Sequence, residues 1–219
     1  MRAFIRRLPP SAEFICVVAI CFGYPIYASF WWLGSDLAGP VTFTFTDWNV
    51  FSLLVSEGAA LAVAGFILAV RGWKLSDASM VVSWNFTLGG LLLLAVYYVT
   101  SVLSYALVNA AVGADILDQV QFSSQLSPGL IVVISVLNPV FEEVIVVAYV
   151  IQVLEKKYGI IFAIGISTLI RLLYHLYQGP IAAVNILPLG ILFGVVYWRW
   201  KSLWPLVVAH ALADFIALV

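Results

Sequence analysis

Seven ionisable side chains lie well inside otherwise apolar stretches of this 219-residue chain: Glu57, Glu142, Glu143, Arg171, His175, His210 and Asp214. Both histidines of the protein are among them. On a helix, residues four apart share a face, so Arg171 pairs in register with His175, and His210 with Asp214 in the segment HALAD. Glu142 and Glu143, in NPVFEEVIVVAY, are neighbours about 100° apart and must do different jobs. A carboxylate and an imidazole flanking one water can generate hydroxide. A second imidazole with a short polar neighbour can donate to the oxyanion of a tetrahedral intermediate. Two histidines and a glutamate are also the ligands of a catalytic zinc, and the same residue types line proton or ion pathways. Spacing leaves these alternatives open. Glu57 has no patterned neighbour and reads as a packing group, and a buried Arg171–glutamate pair can serve as helix glue.

These groups need elements to hold them, and composition says the elements sit in lipid. The chain is 64% hydrophobic and only 10% charged, with a mean hydropathy of +1.10. A soluble domain has about 45–50% apolar residues and about 25% charged ones, so a water-soluble globule is excluded. The net charge of −1 is uninformative beside its distribution, and no nucleic-acid partner is expected. Cys16 and Cys21, five apart on one helix, point in different directions and read as packing residues, with neither a disulfide nor a metal pair. The apolar stretch from Phe14 to Leu33, ended by Trp31 and Trp32, is long enough to span a bilayer and reads as a retained first helix, not a cleaved leader.

Seven apolar segments of spanning length follow, at about 13–34, 49–71, 86–109, 128–153, 158–178, 180–198 and 202–218. The expectation is an all-α fold, a polytopic transmembrane helical bundle of about seven spans. Residues 1–127 would form three N-terminal spans and a connecting loop, and residues 128–219 a core of four spans. Arg2, Arg6, Arg7, Arg71, Lys74, Lys156, Lys157, Arg199 and Lys201 all fall on one side of this layout, while the connections at 35–48, 110–127 and near Gln178 hold no Lys or Arg. The positive-inside rule then predicts a cytoplasmic N-terminus and a C-terminus outside. The eight tryptophans fall near predicted span ends, where interfacial indoles belong. Pro139 removes a helical hydrogen bond beside the glutamates and predicts a kink there.

The order of two adjacent glutamates on one helix, a histidine near the end of the next, and HxxxD on the last resembles the CPBP family of intramembrane peptidases (CAAX protease and bacteriocin-processing, Abi-type). The resemblance covers residues 128–219. It implies that Glu142, with His175, activates water, that His210 and Asp214 stabilise the oxyanion, and that Glu143 supports them. It implies either a glutamate-dependent mechanism without a cofactor or a metalloprotease in which Glu142, His175 and His210 hold Zn2+; the metal-free form is the expectation. Two positions depart from the family pattern: Val147 stands where EExxxR has its Arg, and Arg171 where FxxxH has its Phe. Arg171 is therefore expected to reach across to Glu143 as a relocated cation. Asp214 replaces the commoner Asn, and an ionised carboxylate cannot donate to an oxyanion, so Asp214 is expected to be protonated or to orient His210.

The resulting expectation is an endopeptidase embedded in a plasma membrane, bacterial by the resemblance, acting on a membrane-associated peptide or protein. A catalytically inactive scaffold or immunity-type protein binding a peptide or membrane partner is the alternative, and a proton-coupled transporter a third. The transporter lacks the related halves with broken helices that it would require. The sequence specifies no oligomeric state. One geometric tension stands: counted from their cytoplasmic ends, His175 lies about 25 Å up its span and His210 about 12 Å up its own.

Overall fold

The computed structural model describes residues 1–34, 41–113 and 120–219. A short helix α1 (Arg2–Arg6) precedes α2 (Pro10–Gly34). A strand β1 (Val41–Thr46) leads directly into α3 (Asp47–Val70), a 3-10 turn (Leu75–Ala78) and α4 (Trp84–Val112). Strand β2 (Val120–Gln125) comes next, before α5 (Pro128–Tyr158), α6 (Ile160–Tyr174), a 3-10 turn (Leu176–Gln178), α7 (Pro180–Trp200) and α8 (Trp204–Leu218). The seven long helices correspond to the seven expected segments. Five are long and apolar enough to cross a membrane, and α6 and α8 are shorter apolar helices.

Local chemistry sets the boundaries. Thr46 caps α3 by accepting from the Asn49 N–H at 3.3 Å, and Ser83 caps α4 by accepting from the Phe86 N–H at 3.2 Å. Gly159, at φ +81°, makes the tight reversal between α5 and α6 that a side chain would strain. Prolines open α5, α7 and α8, where a missing N–H costs nothing. Beyond Pro139, where a kink is expected, the helix changes its winding. The helix runs as α up to Glu142 and as π-helix over Glu143–Tyr149, so the two glutamates straddle the change of winding. The Ser167 hydroxyl of α6 donates to the Val146 carbonyl within that wider turn at 2.6 Å.

The core centres on α5, the most enclosed of the five spanning helices, whose residues Phe141 to Ile151 are all buried. Around it pack α2, α6, α7 and α8, while α3 and α4 turn much of their apolar surface outward, as helices facing lipid do. Small residues fix the approach distances. A Cβ on Gly190 would lie 2.8 Å from Thr168, and one on Gly194 2.9 Å from Ile164, so this pair on α7 lets the α6 and α7 backbones close together. Gly90 does the same for α4 and α8, where a Cβ would meet Val208 at 2.7 Å and the Pro205 carbonyl at 2.8 Å. At the basic end, the Arg71 guanidinium binds Glu13 at 2.5 Å and the Arg6 carbonyl at 2.8 Å, and the Tyr149 hydroxyl reaches Glu13 at 3.2 Å. Cys16 and Cys21 are free thiols.

At the opposite end the connections near residues 35–48 and 110–127 contribute structure that the span count did not anticipate. β1 and β2 pair as a two-stranded parallel ribbon with Phe43 opposite Phe122. The period-two pattern VTFTFT carries the signal, but over only six residues. Asp115 and Asp118, in the same connection, lie outside the described residues.

Gly90→Ala is expected to lose about 1–3 kcal/mol of stability by overpacking the α4–α8 seam. Gly65→Ala, where a Cβ meets nothing within 4 Å, is the matched control and should be neutral or slightly stabilising. Unfolding in detergent of the two purified variants measures the difference.

Candidate active site

The site is built on one cation and two carboxylates. Arg171, in the last turn of α6, is 1% exposed and reaches α5 with both terminal nitrogens: Nη2 donates to Glu143 Oε1 at 2.8 Å and Nη1 to Glu142 Oε2 at 3.3 Å. The two glutamates share this guanidinium and otherwise part company. Glu143, fully buried, accepts from His210 Nδ1 of α8 at 2.7 Å. Glu142 accepts from the Tyr174 hydroxyl at 2.6 Å and from the Asn138 amide at 3.3 Å. His210 Nε2 faces Asp214 Oδ1 at 3.6 Å, longer than a hydrogen bond, and Asn138 also faces Asp214. Glu143 Oε2 and Arg171 Nε, both buried, have no protein partner among the described residues.

Packing holds each group in place. Phe22 of α2 stacks on Tyr174 at 4.8 Å, and the Ser29 hydroxyl donates to the Tyr174 carbonyl at 2.9 Å, closing the end of α6. Phe193 of α7 packs against two groups of the site, its ring 5.8 Å from the Arg171 guanidinium and, edge-on, 6.1 Å from the His210 ring. Val147, where the family pattern has its arginine, is buried in the π-helical turn, so the cation facing Glu143 comes from α6.

His175 departs from expectation. The sequence places Arg171 and His175 one above the other on a continuing helix, with His175 paired to Glu142. Instead α6 ends at Tyr174, and His175 is its cap, at φ −106° and ψ 3°. Its Nδ1 turns back to the Arg171 carbonyl at 2.9 Å. Among the described residues no hydrogen bond joins it to Glu142, although Glu142 is a charged neighbour of the ring. Because a carbonyl only accepts, this bond puts the proton on Nδ1 and leaves the Nε2 lone pair as an acceptor. The Tyr174 and His175 rings lie 4.5 Å apart.

Whatever the difference in depth counted along their spans, the two histidines come to the same cluster: His210 meets Glu143 directly at 2.7 Å and lies within electrostatic reach of His175. Glu57 is half-buried on α3, with Glu142 and Asp214 as its charged neighbours. It thus faces the site, which no spacing argument indicated.

Asn138 and Tyr174 are the site residues that sequence reasoning missed. Asn138 stands four residues before Glu142, and Tyr174 directly precedes His175, so both were visible by position. Their polarity is ordinary enough, however, that only the contacts single them out. As to a metal, among the described residues no three of the His, Cys, Asp and Glu side chains are arranged to hold one. Within the Glu142, His175 and His210 set, Glu142 is engaged by Tyr174 and Arg171, while His210 and His175 each use Nδ1, toward Glu143 and the Arg171 carbonyl, and keep Nε2 as the nitrogen left for a ligand or a proton.

Arg171→Ala strands two buried carboxylates and is expected to lose about 3–5 kcal/mol of stability. Arg171→Phe combined with Val147→Arg, which moves the cation back onto α5, should recover most of it. Thermal unfolding of the three proteins in detergent is the measurement, and a fully stable Arg171→Ala protein would show that the guanidinium does not hold the site together.

Residues 124–216 match the Rce1-like family model, described as type II CAAX prenyl endopeptidase Rce1-like. No curated protein and no solved structure gives a significant match to the chain. The matched region runs from the end of β2 through α8 and contains every side chain of the cluster except Glu57. The C-terminal four-helix region of this membrane protein is therefore similar to the CAAX-protease type of family, in agreement with the resemblance read from its glutamates and histidines.

Proposed function

We propose that the protein is an intramembrane endopeptidase of CAAX-protease type, in which Glu142 and His175 activate water without a metal. The observation that carries this reading is the division of labour between the two glutamates. Glu143 pairs with Arg171 and His210, whereas Glu142, held in place by Tyr174, Asn138 and Arg171, is a charged neighbour of His175, whose Nε2 is left as an acceptor.

A water held between Glu142 and His175 Nε2 loses its proton to this pair as its oxygen attacks the scissile carbonyl carbon. The negative charge that develops on the carbonyl oxygen needs donors already in place. In its imidazolium form His210 keeps Nδ1–H on Glu143 and offers Nε2–H, which the 3.6 Å gap to Asp214 leaves loosely engaged, and the Asn138 amide, which faces Glu142 and Asp214, is a further donor. Asp214 orients the imidazole. Collapse of the intermediate breaks the C–N bond, and the proton taken from water passes to the leaving amine. Glu143 and Arg171 touch none of the reacting atoms in this scheme. They fix His210 and Glu142 relative to one another, so they are positioning residues.

Purified protein in lipid bilayers, offered prenylated and unprenylated CAAX-type peptides, tests the proposal. Glu142→Gln and His175→Ala should each lower the cleavage rate by about 10²–10⁴-fold, the range for a lost general base. Hydrolysis that survives Glu142→Gln overturns the assignment, and a biological effect that survives both substitutions favours a scaffold. A metal-free reaction should also be insensitive to phenanthroline and to added Zn2+. Inhibition reversed by Zn2+ would return the site to the metalloprotease class.

A further inference from the structure

The parallel ribbon at the end of the bundle opposite the α5–α6 turn stands directly against the catalytic end of α6. Phe43 of β1 packs edge-on against Tyr177 at 5.4 Å, and Phe122 of β2 against the same ring at 6.4 Å. Tyr177 in turn stacks on His175 at 6.3 Å. Trp32 of α2 packs on Phe43 at 4.3 Å, and a Cβ on Gly179 would lie 3.2 Å from Val120, so the ribbon is seated on the bundle from two sides. Across its other face the Thr44 and Ser123 hydroxyls hydrogen-bond at 2.9 Å.

Two strands make a sheet with two edges. In a parallel pair, alternate residues turn their N–H and C=O groups toward the partner strand and the rest turn them away. Among the described residues the sheet holds only β1 and β2, and no other backbone hydrogen bond engages either strand. The outward groups are thus a template for a further strand. Peptide hydrolysis needs such a partner. A scissile carbonyl inside a helix is hydrogen-bonded and shielded by its own side chains, so a membrane-embedded substrate has to unwind. Its freed backbone groups then need partners where water is scarce. A strand edge supplies these without regard to sequence, while the side chains remain free for separate recognition. The two ring contacts between ribbon and His175 span roughly the length of four extended residues at 3.3 Å each, a short reach for a chain laid along the edge.

We propose that the β1–β2 ribbon binds the substrate by strand addition, taking an extended peptide segment as a third strand and delivering its next few residues to the Glu142–His175 pair. This rests on the peptidase reading for what happens to the peptide, but not for its binding.

The test uses a fluorescent ten-residue peptide of alternating valine and threonine with terminal lysines. Its binding is measured on full-length Glu142→Gln protein in detergent so that it is not consumed. Two analogues carry N-methyl groups on either the odd or the even residues. Strand addition predicts that one analogue binds at least tenfold more weakly and the other within twofold of the parent. No binding, or equal loss for both analogues, overturns the proposal. Disulfide trapping locates the contact. A cysteine version of the peptide should cross-link to Thr42→Cys or Gln121→Cys, on the exposed ribbon, and not to Val102→Cys on the exposed side of α4. Equal trapping at Val102→Cys also overturns it. Hydrolysis of CAAX-type peptides by the wild-type protein is scored separately. Cleavage with failed strand addition removes only the ribbon's role, and strand addition without cleavage removes only the peptidase.

Discussion

One guanidinium between two adjacent carboxylates organises the C-terminal part of this protein. Arg171 bonds Glu142 and Glu143 from the neighbouring helix, buried in the interior of a largely apolar bundle. An uncompensated charge at such depth is costly, so α5 and α6 are obliged to meet at this level and in this rotation. The rest of the cluster follows from that lock. With Glu143 held, His210 is drawn to it from α8, and with Glu142 held, Tyr174 and Asn138 complete its shell. Charge pairing in lipid thus does what a covalent staple does in a small secreted domain: it fixes the register of elements whose apolar surfaces alone would slide.

The irregular parts of the helices serve the same end. The π-helical turn begins at Glu143, and segments of this kind are retained where function needs them despite their poorer packing. α6 stops at Tyr174, which frees His175 from a helical position and lets its Nδ1 find the Arg171 carbonyl. A residue that simply continued the helix would have spent its orientation on packing. Meanwhile glycines at 90, 190 and 194 let α4, α6, α7 and α8 approach closely enough for short polar side chains to meet across them.

Much of this was legible in the residues, for identifiable reasons. Hydropathy reports spans because a bilayer forces every backbone group into a helix, so the seven helices were evident from lengths of apolar sequence. The intramembrane polar residues were evident for the same reason, since each stands out against its surroundings. What spacing could not show was where a helix ends. His175 was read as a helical residue one turn from Arg171, whereas it caps the helix, because no proline or glycine marks the stop before Gly179. The ribbon was hidden in loops too short for a periodicity to register. Asn138 and Tyr174 were passed over because neither residue type is unusual near a helix in a membrane, and only the contacts with Glu142 distinguish them.

The Arg171 pairing also constrains how the chain is made. A lone arginine or glutamate at mid-bilayer disfavours insertion by about 2.5–3.5 kcal/mol, which burdens α5 twice and α6 once if each enters lipid by itself. With only Gly159 between them, the two helices form a hairpin whose charges neutralise one another on contact. Entering lipid together as a hairpin would spare α5 and α6 a burden that neither escapes alone.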